Sequence, residues 1–137
     1  MRTTVLSVVF CAVVYAAAPS TPLTALADLA SNFSQGDPAS AISMFDPQMQ
    51  GYGQISSNIQ ALAAQAEVTC AIDVIDDTDT NGIHKLDLDW IMNLKSTGDT
   101  VTVERRRERV QVEMRQIKGK WKITAMTPLT ILDPIHV

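Results

Sequence analysis

An α+β fold, with N-terminal helices packed on a strongly curved antiparallel four-stranded sheet, is predicted by three observations. Residues Ile83 to Ile131 read as three consecutive strands joined by two short turns. The first of the three carries Leu86, Leu88, Trp90, Met92 and Leu94 at alternate positions, with Lys85, Asp87, Asp89 and Asn93 between them. A period of two marks a strand with one face in a core and one in water. Ahead of these strands the apolar residues recur at helical spacing instead, and helices followed by strands segregate to one face of a sheet.

The chain has 137 residues, 46% of them hydrophobic and 19% charged, which suits one globular domain. Met1-Arg2, the apolar run Val5 to Tyr15 and the Ala16-Ala17-Ala18 site before Pro19 have the form of a secretory signal peptide. Residues 1–18 are therefore expected to be removed, leaving 19–137 as a secreted or periplasmic domain with no membrane attachment. Phe10 before Cys11 argues against lipoprotein processing. Cleavage leaves Cys70 alone, so no internal disulfide is expected and packing must supply the stability. Cys70 lies on an apolar strand face and reads as a core residue. A net charge of −4 gives no footprint for nucleic acid.

Thr21-Pro22 reads as a cap and first turn, followed by Leu23, Leu26, Leu29, Ala30 and Phe33 on one helical face. Asp37 caps a second short helix that buries Ala41, Ile42, Met44 and Phe45, and Asp46-Pro47 stops it. Tyr52 and Gly53 are placed in a link, and a third helix runs from Ile55 to Ala64 through Ile55, Ile59, Leu62 and Ala63. A strand follows with Val68, Cys70, Ile72 and Val74 on one face, then a loop from Asp76 to Gly82. Ser96 to Asp99 and Lys118-Gly119 are turns between the remaining strands. The second turn sets Met114 opposite Ile123 and Val112 opposite Ala125. The first sets Leu94 opposite Val101 and Met92 opposite Val103. Burying both Val103 and Val110 then requires a one-residue bulge between Glu104 and Arg109, which puts Leu86 opposite Val110.

That order, with Gly119-Lys120-Trp121-Lys122-Ile123 opening the last strand, resembles the nuclear-transport-factor-2-like superfamily, which includes SnoaL-like cyclases and ketosteroid isomerase. The resemblance covers the chain after residue 18 and implies a cone: a curved sheet closing around the first helix, with a cavity at one end and often a homodimer. It carries over no catalytic motif, because the first helix has no Tyr and no Asp/His pair stands at matching positions.

Several constellations are candidates for chemistry. The cavity of such a cone would be lined by Trp90, Met92, Met114 and Ile123, with Tyr52 and one of Arg105 or Arg106 nearer the mouth. An arginine over the Trp90 indole could hold the anionic end of an apolar ligand; the alternative is a stem packed on Trp90 with its head in water. His84 faces inward and, with Tyr52, is the weak candidate for general acid/base work, against an ordinary end-of-strand histidine. Asp77-Thr78-Asp79-Thr80-Asn81-Gly82 copies half of a calcium loop, so Asp77, Asp79 and Asn81 are weak metal candidates. Leu88 stands where the bidentate glutamate is needed, and an acidic hairpin loop explains the same residues. Asp87 with Arg109 and Asp89 with Arg107 are expected to pair across the outer face. Val101, Val103 and the outward Ile91 and Ile117 could mark a sheet-face contact with a second copy. Asn32-Phe33-Ser34 fits a glycosylation sequon, with a chance match favoured.

The function expected is non-catalytic binding of a small apolar or amphiphilic molecule in the cone, or association, with no cofactor called for. An isomerase- or dehydratase-like enzyme of the same superfamily is the alternative.

Overall fold

The structure, a computed structural model, describes residues 21–135; residues 1–18, where a signal peptide is expected, lie outside them. Helix α1 (Pro22–Ser34) begins where Thr21 caps it, with the Thr21 side chain accepting from the Thr24 amide at 3.1 Å and Pro22 in the first turn. Its buried stripe is Ala25, Leu26, Leu29 and Phe33; Leu23, expected inside, is exposed because Ala25 takes the inward position. Asp37 caps α2 (Pro38–Ser43) through the Ser40 amide. Helix α3 (Tyr52–Gln65) starts three residues earlier than the sequence suggests. Gly51, at φ 84°, turns the chain into it, so Tyr52 and Gly53 form the first turn and not a link. A side chain at Gly51 would also meet Leu129 Cδ1 at 3.1 Å.

The sheet has strand order β1 (Ala66–Thr80), β2 (Ile83–Ser96), β3 (Val103–Ile117), β4 (Lys120–Thr127), all antiparallel, curled but not closed. The segment Asp76 to Gly82 is not a loop. Strand β1 runs on to Thr80, paired with Ile83, and only Asn81-Gly82 turns, at φ 54° and 85°. Such positive φ values belong to the tight hairpin turns that suit twisted strands. A bulge at Ile75 lets the acidic stretch stay in the ladder. This acidic, bulged outer strand is also a poor template for pairing with another chain. Lys118-Gly119 makes the other two-residue turn, and Met114 faces Ile123 as expected. Thr124 is extra on β4, so Val112 faces Met126 and not Ala125.

Between β2 and β3 the register differs from expectation. The pairing runs without a bulge from Lys95 opposite Val103 to His84 opposite Met114, so Leu86 faces Val112 and Leu88 faces Val110. The connection is longer than a four-residue turn: the Ser96 hydroxyl accepts from the Thr102 amide at 2.9 Å, and the Ser96 amide donates to the Thr102 carbonyl at 2.9 Å. Val101 and Val103 are left 57% and 69% exposed. No bulge is needed once Val103 is not required to be inside.

Helices α1 and α3 cover the concave face with Leu26, Leu29, Phe33, Ile55, Ile59 and Leu62. The Phe45 segment bridges in parallel to Ile123 and covers the β4 edge. After β4 the chain crosses back as a strap, with one 3₁₀ turn (Thr130–Leu132) whose Ile131 and Leu132 are fully buried against α3 and β3. Among the described residues no helix is long and apolar enough to cross a membrane.

Candidate functional site

The strap occupies the end of the cone where the arginine pair was expected to meet a ligand. Trp90, Met92, Met114 and Ile123 are all at 0% exposure and belong to the core. Phe33 meets Trp90 edge-on, ring centres 6.3 Å apart. Trp90 faces Glu108 and not an arginine, because the register is shifted from the expected one. Arg105 stands opposite Asn93 on the outer side and is exposed. Arg106 lies on the inner row with its side chain 12% exposed. Its Nε donates to Glu104 Oε2 at 2.6 Å, and its Nη1 donates to the carbonyls of Ile131, at 3.1 Å, and Asp133. Glu108 accepts from the Thr130 hydroxyl at 2.9 and 2.8 Å. The inner row of β3 thus changes from Val110, Val112 and Met114 to Glu108, Arg106 and Glu104, and the strap supplies partners for the polar half.

His84 sits near the β1–β2 hairpin tip. Its Nδ1 is 2.8 Å from Asp77 Oδ1, its Nε2 is 3.7 Å from Asp79 Oδ2, and its ring meets Trp121 edge-on at 5.0 Å. Tyr52 packs half-buried against the core, and no hydrogen bond joins it to His84 among the described residues. Asp79 also accepts from the Gly82 amide at 3.0 Å, while Asn81 supplies the turn. These carboxylates are committed to the histidine and the turn. Among the described residues no group of three or more His, Cys, Asp or Glu side chains is arranged to hold a metal ion.

On the outer face Arg107 grips Asp89 with Nε and Nη2, at 3.0 and 2.8 Å, as expected, although it reaches diagonally from opposite Ile91. The Arg107 hydrogen bond holds the Asp89 carboxyl below its usual range. Asp87 faces Gln111 and Asp89 faces Arg109, so the expected Asp87–Arg109 pairing is displaced by two residues.

The open apolar volume lies elsewhere, where the ends of α1 and α3 meet the start of β1. This groove holds about 390 Å³ and has Phe33, Ile59, Leu62, Ala63, Ala66 and Val68 as its apolar lining. Asn32, Ser34, Gln35, Asp37, Glu67, Thr69 and Thr97 form its polar part. The Cys70 amide donates to Ser34 Oγ at 3.1 Å and not to β2. By strand alternation the amide and carbonyl of Val68 also point off the sheet edge, towards the groove. The sequence marks Phe33, Leu62 and Val68 as inward-facing, but their convergence at a sheet edge is set by helix packing, for which the chain carries no local signal.

Cys70, just beyond the groove, is half-buried. Burial pushes its thiol up to about 12, against a smaller opposite pull from the nearby Trp90 indole N–H. That N–H has no hydrogen-bond partner among the described residues, so its pull on the sulfur is weak. Two results are expected. Cys70 should react with a disulfide reagent at pH 8 far more slowly in the native protein than in urea, because the thiolate is the nucleophile. The native state also holds the proton to higher pH than the unfolded chain, whose thiol titrates near 9.0. Stability should therefore be unaffected by this group below pH 9 and fall between about pH 9 and 12, and a Cys70→Ala variant should lose that part of the decline. Equal labelling rates in the native and unfolded states would contradict the burial.

No family model matches the sequence, and no curated protein matches it. Solved structures do resemble the fold. A conserved protein from Planctomyces limnophilus superposes with a TM-score of 0.67 at 7% identity, over 75% of this chain and 88% of that one. A scytalone dehydratase-like protein from Novosphingobium aromaticivorans gives 0.64 at 9%, over 75% and 76%. A nuclear transport factor 2-like superfamily protein from Salmonella enterica gives 0.61 at 13%, over 75% and 83%.

Proposed function

From a chain with the nuclear-transport-factor-2-like fold, we propose an exported binding module that holds a small, mostly apolar molecule, with the groove between α1, α3 and β1 as its site. The observation that carries the reading is that groove. Its volume of about 390 Å³ falls within the roughly 300–1,000 Å³ typical of small-molecule sites. Its apolar floor with a few polar groups at the rim has the composition such sites share. The end of the cone near Arg106 is less suited, since the chain's own strap fills it. Fold alone does not imply catalysis, and the groove's chemistry is that of holding a molecule.

Ala63 is exposed on the groove wall, so Ala63→Trp should fill the volume without disturbing the core. An uncharged solvatochromic dye such as Nile red should show saturable one-to-one fluorescence enhancement with the wild type. At least a tenfold weakening is expected in Ala63→Trp, with an unchanged melting temperature. Dye binding that is equal in both proteins, or absent from the wild type, would remove the groove from consideration.

Export rests on the apolar run and Ala-x-Ala site before Pro19. Mass spectrometry of the protein from its native host should find an N-terminus at or near Pro19. Intact Met1 on cytoplasmic protein would refute it.

A further inference from the structure

The rim of this groove has one sign of charge, and the two long helices reinforce it. We infer that the groove selects an apolar molecule carrying a cationic head, such as an alkylammonium; the inference rests on the groove being the binding site.

Helices α1, of 13 residues, and α3, of 14, both end at the groove: Asn32, Phe33 and Ser34 line it from one, and Leu62 and Ala63 from the other. A helix C-terminus carries the equivalent of about half a negative charge and favours a cation nearby. Chains commonly place Lys or Arg in the last turn to meet it. Neither helix here has a basic residue in its last turn. The charged side chains on the groove wall are Asp37 and Glu67, both acidic, and no Lys or Arg lines it. Asp37 is held ionised by its hydrogen bonds to Ser40, which keep its carboxyl below the usual range. Glu67 is exposed and makes no ion pair among the described residues, although Lys95 stands opposite it in the ladder.

The off-edge carbonyl of Val68 adds an acceptor in the same place, beside the amide donor of the same residue, by the alternation argued above. An ammonium donates hydrogen bonds and accepts none, so it can use that carbonyl and the two carboxylates. A carboxylate head would meet two helix ends and two carboxylates of its own sign. This is the opposite polarity to the anionic end expected for a site beside the arginines.

Three ten-carbon probes with one tail and different heads test it: decylamine, decanol and decanoate. They are titrated by displacement of the dye at pH 7.5, below their aggregation concentrations. Decylammonium should bind roughly three- to tenfold more tightly than decanoate, with decanol between, as expected for exposed charge interactions. The ratio should shrink towards one in 1 M salt, where the screening length is about 3 Å. Glu67→Lys, a surface change, should narrow or invert the preference of decylammonium over decanoate. Equal affinities for all three heads, or a preference for decanoate, would overturn the charge selectivity and leave the groove as an apolar site. Failure of all three, decanol included, would instead sink the groove itself. Binding that Ala63→Trp does not weaken would do the same.

Discussion

Trp90→Ala should cost about 3–5 kcal/mol of unfolding free energy, read as a lower urea midpoint at unchanged slope. Trp90 is the largest of the fully buried side chains, held between Phe33 on α1 and its strand neighbours Ile72 and Glu108. Truncation leaves a cavity that helix and sheet cannot both close, because the sheet's curvature is set by its ladder. The indole N–H has no acceptor in good geometry. Trp90→Phe therefore removes a polar group that gains little from burial and should cost less than about 1.5 kcal/mol. A loss below 1 kcal/mol for Trp90→Ala would mean that the ring is not packed as described.

Comparable losses are expected at the strap. Ile131→Ala and Leu132→Ala should each cost about 2–5 kcal/mol, since both side chains are fully buried. Together they would consume much of the roughly 5–15 kcal/mol that holds a typical domain. Arg106→Ala acts on the same element from the polar side. It leaves Glu104 and the carbonyls of Ile131 and Asp133 without their donor, at a cost of about 1–3 kcal/mol. Arg105→Ala, on the exposed side, should stay within about 0.5 kcal/mol. On sequence grounds either arginine could be the one near the cavity mouth; the strap separates them. Equal, negligible effects of the two arginine changes, together with a silent Leu132→Ala, would show that the strap is not docked on β3. Gln65 offers a further readout, because its side chain clasps the Ile135 backbone in both directions, at 3.2 and 2.8 Å. Hydrogen exchange at Ile135 should quicken in Gln65→Ala.

Much of the architecture is local chemistry and was legible without coordinates. Thr21-Pro22 and Asp37-Pro38 start helices because a side-chain oxygen and a preset φ satisfy the first turn. The alternation of β2 places Leu86 to Leu94 inside, and Lys118-Gly119 forces a two-residue turn that brings Met114 to Ile123. Alternation identifies a face; it does not identify a partner. Sliding β3 along β2 by two residues leaves every side chain on its own side, so Leu86 opposite Val110 and Leu86 opposite Val112 have the same pattern. Tertiary packing made that choice by leaving Val103 in water and lengthening the loop after Ser96. The same limit hid the polar inner row of Glu104, Arg106 and Glu108, in which Arg106 and Glu108 find partners on a strap some 25 residues later in the chain. It also hid the groove, which exists only where two helix ends and a sheet edge, each ordinary in sequence, are packed side by side. Hydrogen-bonding and steric preferences act over a few residues and are written in order along the chain. Burial is shared among segments far apart, and only the folded structure decides which of them share it.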